Sequence, residues 1–171
     1  MSATISLSEY LRTVYEADCD YVDGEVQERN CGTLEHSSLL GRFIELLATA
    51  EIETHLRANL ILRVQVSPTR IRVADVCLLR VPVQREQIIR TPPLLCIEIL
   101  SPEDRMSRMR EKVRDYLDLG VVEVWVVDAE ARSIMICAGA TTIEQTSGDL
   151  KVPETPVVLA LADIFKVLDE Y

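Results

Sequence analysis

Apolar residues recur along this chain with two periods, every third or fourth position in some stretches and every second in others. Ser6 and Glu9 form an S-x-x-E pair ahead of Tyr10, Leu11 and Val14, which predicts a short helix over roughly residues 7 to 17. In CDYVDGEVQERN, Asp23-Gly24 separates two strand-like pieces, a hairpin signal that places Glu25 directly after a tight turn. From Thr33 to about His55, Leu40, Phe43, Ile44 and Leu47 recur at helical spacing and predict the longest helix. LILRVQV and IRVADVCLL then read as strands joined by a Ser67-Pro68-Thr69 turn, with Pro82 ending the second.

A polar connector, VQREQIIRTPP, leads to a further strand, LLCIEIL, and then through Ser101-Pro102 into a charged helix that Gly120 caps. VVEVWVVDAEARSIMIC reads as two strands around an Asp128-Ala129-Glu130-Ala131 turn. More β structure and a short apolar helix near Leu161 to Leu168 close the chain. With no internal repeat or linker, the expectation is one α/β domain over residues 1 to 171, a mixed sheet flanked by helices.

Two acids break the strand patterns. Glu98 stands alone in LLCIEIL, and Asp75 is the only acid in RVADVCLL. An ionised carboxylate buried without a partner costs several kcal/mol or more, so each needs a counter-charge, a proton, an open strand end or a metal. On neighbouring strands the two would converge on a hard divalent cation, and magnesium commonly takes one or two carboxylates. The structural alternative pairs each acid with a nearby arginine such as Arg72 or Arg80.

In the following helix, at about 100° per residue, Arg105, Arg108 and Lys112 fall within roughly 60° of one another. They border an apolar stripe of Met106, Met109, Val113, Tyr116 and Leu117. Lys112 therefore either snorkels outward or leans across the sheet end, where it could serve a water or a phosphate.

Composition narrows the function classes. A net charge of −10 disfavours strong nonspecific nucleic-acid binding unless the few arginines gather in one groove. Five cysteines without C-x-x-C spacing, and only His36 and His55 to join them, suit reduced core thiols better than a zinc site. No apolar run reaches the roughly 18 to 20 residues of a membrane span and no signal peptide is evident, so a cytoplasmic protein is expected.

The ordered series YVDGEV, LEHSSLLGRF, VADV, CIEILSPEDR, REKVRDYLDLGVVEVWVVD and ARSI resembles the Uma family of restriction-endonuclease-like proteins, within the PD-(D/E)XK nuclease superfamily, over roughly residues 18 to 138. The resemblance implies a restriction-endonuclease-like fold, with Asp75 as the first metal-binding acid, Glu98 as the second and Lys112 as the catalytic lysine. It implies that Glu25 completes the site and that His36 serves as a substrate-facing or auxiliary proton-transfer group. A locally hydrogen-bonded helix-terminal histidine is the other reading of His36. Three positions depart from the pattern: Leu100 where the superfamily commonly has its lysine, Ala74 where a proline precedes the aspartate, and Arg108 where many relatives carry an aspartate. Arg108 either assists phosphate binding or marks a drifted site.

The resemblance implies a magnesium-dependent endonuclease, with manganese as a substitute, that hydrolyses DNA phosphodiesters and works as a homodimer. A nuclease-fold protein kept for binding or assembly is the alternative, motivated by the acidic charge, Arg108 and the lack of a recognition module. A hydrolase with a bare carboxylate pair is weaker, because it leaves Lys112 without a part.

Overall fold

The structure, a computed structural model, describes residues 4–30 and 32–170, and over residues 49–54 the backbone alone. The first helix, α1 (Leu7–Arg12), is shorter than its pattern suggested. Ser6 caps it by accepting from the Glu9 amide, but the Thr13 hydroxyl donates to the Glu9 carbonyl and the chain turns extended there. β1 (Asp20–Val22) and β2 (Glu25–Gln27) form the expected hairpin, with positive φ at both Asp23 and Gly24, the geometry of a two-residue primed turn.

Helix α2 (Leu34–Thr54) begins at a Thr33 cap and ends at His55 in the left-handed region. β3 (Leu56–Ser67) and β4 (Arg70–Arg80) pair antiparallel along nearly their whole lengths. β5 (Leu95–Ile99) lies within LLCIEIL; α3 (Met106–Leu119) follows, capped by Gly120 at φ 107°. β6 (Glu123–Asp128), β7 (Ser133–Ala138) and β8 (Thr141–Gln145) extend the sheet. β9 (Asp149–Lys151) and β10 (Val158–Ala160) form a separate pair, followed by α4 (Leu161–Phe165) and a 3₁₀ turn, Lys166–Asp169.

The mixed α/β expectation holds: eight strands form one sheet, β5 and β6 running parallel across the α3 crossover and the other neighbours antiparallel. Leu39, Phe43 and Leu47 of α2 join Leu95, Ile97, Ile99 and Trp125 in one core cluster. Met109, Val113 and Tyr116 of α3 join Cys96, Val124 and Val126 in another. Trp125 is thus core, as its strand position predicts. Cys19, Cys77, Cys96 and Cys137 are buried free thiols, whereas Cys31 lies outside the described residues. No described helix is long and apolar enough to cross a membrane.

One detail of topology creates the site. β3 occupies one edge of β4, so β1 and β5 must share the other. β1 pairs with Arg70 and Ile71, β5 with Val76, Cys77 and Leu78. Between them, residues 72 to 75 have no strand partner on that edge, and buried backbone groups there need side chains instead. The Val73 amide donates to Asp20 Oδ1 at 2.8 Å, and the Val73 carbonyl accepts from Lys112 Nζ at 2.8 Å.

Candidate active site

Asp75 ends this gap, 2% exposed. Its Oδ2 accepts from the Ile99 amide at 2.8 Å and lies 3.3 Å from His36 Nε2, while its Oδ1 is paired with the Arg29 guanidinium. Burial favours the neutral acid, but the His36 hydrogen bond and the charges of Arg29 and Lys112 outweigh it and hold the Asp75 carboxyl below the usual aspartate range.

Glu98 sits on the α3 side of β5 because alternation sends Leu95, Ile97 and Ile99 to the α2 side. Lys112 Nζ donates to its Oε2 at 2.7 Å and the Tyr116 hydroxyl to its Oε1 at 2.8 Å. These two donors are one helical turn apart on α3, so a single helix face holds both oxygens. Burial, only partly offset by Lys112, pushes Glu98 up to about 7, with Asp75 adding to the rise. Lys112 itself does not snorkel: it is 7% exposed, and Asp20 and Glu98 overcome the burial penalty to raise it above the ordinary lysine value.

Of the sequence-predicted residues, Asp75, Glu98, Lys112 and His36 come together. A cleft of about 60 Å³ is lined by Asp75, Glu98 and Lys112 with Asp20, Arg29 and Arg108. Arg108 is exposed at this cleft. Glu25 does not join them. It is exposed beside the hairpin turn, opposite Val22, on the side of β2 shared with Gln27 but roughly 7 Å further along. Asp20, opposite Gln27 at the inner end of the hairpin, stands by the cleft instead, 3.8 Å from Lys112 Nζ.

Asp20, Arg29 and Tyr116 were missed in the sequence. Asp20 carried no distinct signal, since Asp18 and Asp23 flank it within three residues in an acid-rich stretch. Tyr116 looked like part of the apolar stripe, which its ring is. Arg29 had no signal, since it reaches Asp75 across 46 residues from a segment without helix or strand. The expected partners of the two acids also change: Arg72 binds Asp20 and Asp115, and Arg80 binds Glu154.

A family model described as "Putative restriction endonuclease" matches residues 7–165. The chain belongs to the Uma2 family. The match extends well beyond the 18 to 138 span of the motifs, taking in α1 and the C-terminal α4. A crystal structure of a "putative nuclease belonging to DUF820" from Anabaena variabilis ATCC 29413 has the same fold, with a TM-score of 0.86 and 21% identity over 96% of this chain and 99% of that one. No curated protein matches. Membership makes this a nuclease-like protein of mixed α/β fold.

The donor chemistry of this Uma2 site suits a hard divalent cation, since Asp75 and Glu98 bring carboxylate oxygens from strands β4 and β5 into one cleft. Arg29 and Lys112 already match those two carboxylates charge for charge, and no group of three or more His, Cys, Asp or Glu among the described residues is placed to hold an ion by itself. Coordination there would draw its remaining ligands from water or phosphate.

Proposed function

We propose that this chain is a divalent-metal-dependent endonuclease that hydrolyses phosphodiester bonds in DNA. The observation that carries the reading is the meeting of Asp75, Glu98 and Lys112, from β4, β5 and α3, in one cleft. Asp75 and Glu98 would hold magnesium, with manganese as a substitute. When bound, such an ion supplies Lewis acidity that polarises a phosphate and acidifies water.

The chain's own groups do the rest. Lys112 keeps a full positive charge at the cleft, suited to the negative charge that develops on the phosphorane-like phosphate. His36 orients Asp75 from α2, and Tyr116 holds the Glu98 oxygen that Lys112 does not. A water oxygen bonds to phosphorus in line with the departing sugar oxygen and gives up a proton to solvent, the bond from phosphorus to the sugar oxygen breaks, and the sugar oxygen takes a proton from solvent. Arg105, at the N-cap of α3, and Arg108 are exposed at the cleft and form no ion pair among the described residues. In a chain of net charge −10 they provide a local surface for phosphates. The reading includes a homodimer, whose two clefts would address the two strands; sedimentation should give twice the chain mass.

Supercoiled plasmid tests the activity. With magnesium or manganese the wild type should nick it, chelation should stop the reaction, and Asp75→Asn should fall to the buffer background while still folding cooperatively, at a lower thermal midpoint because Arg29 loses its buried partner. A wild type that nicks no DNA with either ion would sink the proposal. A second reading, a nuclease-fold binding module, is favoured by one observation, the Arg29 guanidinium on Asp75. DNA retention in a gel-shift assay without cleavage in the same buffer would select it.

A further inference from the structure

Arg29 stands in the cleft with no part assigned to it by the motifs or the family match. Its side chain is 9% exposed, it lines the cleft, and its guanidinium pairs with Asp75 Oδ1. Burial opposes its charge, but Asp75 first, then Glu98 and Asp20, more than restore it, and Asp75 is the carboxylate it pairs with. An arginine cannot leave that duty by deprotonating, because its guanidinium stays charged at any ordinary pH. Only movement of the side chain frees Asp75.

The segment that carries Arg29 is built as a strap. Residues 28 to 30 leave β2 without helix or strand, and they are tied to the loop between β5 and α3. Asn30 Nδ2 donates to Asp104 Oδ1 at 2.9 Å, and Ser101 Oγ donates to the Asn30 carbonyl at 3.1 Å. Asp104 Oδ2 in turn accepts from the Ser101 amide at 2.7 Å, which stiffens the anchor. Two side-chain hydrogen bonds therefore hold the strap, and with it Arg29, over the carboxylates.

A divalent ion entering beside Arg29 and Lys112 would meet carboxylates already neutralised, and like charge at close range disfavours that arrangement. We propose that Arg29 competes directly with the divalent cation for Asp75, so that metal enters by exchange for the guanidinium as the strap shifts. The inference rests on the reading that Asp75 and Glu98 hold the ion. Displaced to the cleft mouth, the guanidinium is the group in this strap suited to grip a phosphate of the incoming strand.

Magnesium calorimetry on the full chain, without nucleic acid, tests this. Arg29→Gln should bind magnesium at least about tenfold more tightly than wild type, since the competitor is gone while an amide still reaches Asp75. Asn30→Ala, which loosens the strap but keeps the arginine, should shift affinity the same way by a smaller factor, and covers the case in which the Arg29 variant folds poorly. Asp75→Asn should remove the binding. A metal-induced rise in the thermal midpoint provides a second readout, larger in Arg29→Gln. Equal or weaker affinity in both strap variants overturns the competition and leaves the metal site standing. No magnesium binding in any folded variant overturns the metal site itself, and the competition with it.

Discussion

Lys112→Met should lower metal-dependent nicking by about 10³-fold and also destabilise the protein, two losses from one ammonium. Methionine is nearly as good a helix former and fills a similar volume, so α3 and its packing persist. What disappears is the cation at 2.7 Å from Glu98 Oε2 and the donor to the Val73 carbonyl in the sheet gap. Removing one partner of a buried pair costs about 3 to 5 kcal/mol, because the other charge stays buried. The loss should depend on pH. At pH 8 Glu98 has to ionise without Lys112, or hold its proton at a cost; at pH 5 it is protonated in any case and much of the penalty vanishes. Urea denaturation at the two values gives the comparison. The double variant Lys112→Met with Glu98→Gln should recover stability at pH 8 and remain inactive. If Lys112→Met nicks like wild type, the lysine has no catalytic part; if it loses no stability, the buried pair is not as described.

Glu98 should make the wild type less stable as pH rises from 5 to 8 in metal-free buffer, by roughly 2 to 3 kcal/mol. The sign follows from the direction of its shift. Its folded value is pushed up to about 7 from an unfolded value of 4.5, so between these limits the folded state binds the extra proton. Stability from this group is present at low pH and is lost as pH climbs through the window, to become flat above it. Asp75 works in the opposite sense, but its carboxyl is held below the usual range, so its stabilisation is lost only in acid beneath that window. Lys112, raised above its ordinary value, contributes a change only in strong base. Glu98→Gln therefore removes the slope, and chemical denaturation of both proteins across pH 5 to 8 measures it. A wild type whose stability is flat or rising over this range would contradict the burial of Glu98.

Much of the fold was legible because its signals are local. The Asp23-Gly24 turn, the Thr33 cap, the Pro68 turn and the Gly120 cap depend on the φ values and capping atoms of a few adjacent residues, and all four appear where their sequences place them. The length of α1 was read too long because Val14 fits a helical period, whereas the Thr13 hydroxyl and amide close the helix first. Asp75 and Glu98 were visible for an equally local reason, a lone charge in an apolar strand.

The sequence by itself determined that two acids would be buried in strands and that a lysine would stand at the border of the next helix, since periodicity alone settles which positions face inward. It did not determine what neutralises them. Arg72 and Arg80 were the near candidates, yet Arg29 and Lys112 hold those places, at separations of 46 and 14 residues. Nor did it place Glu25, which strand register leaves outside, or Asp20, which the same register brings to the gap in β4. Pairing partners of buried charges are chosen by which strands share an edge, and only the tertiary structure decides that β1 and β5 divide one side of β4 and leave the opening into which these side chains reach.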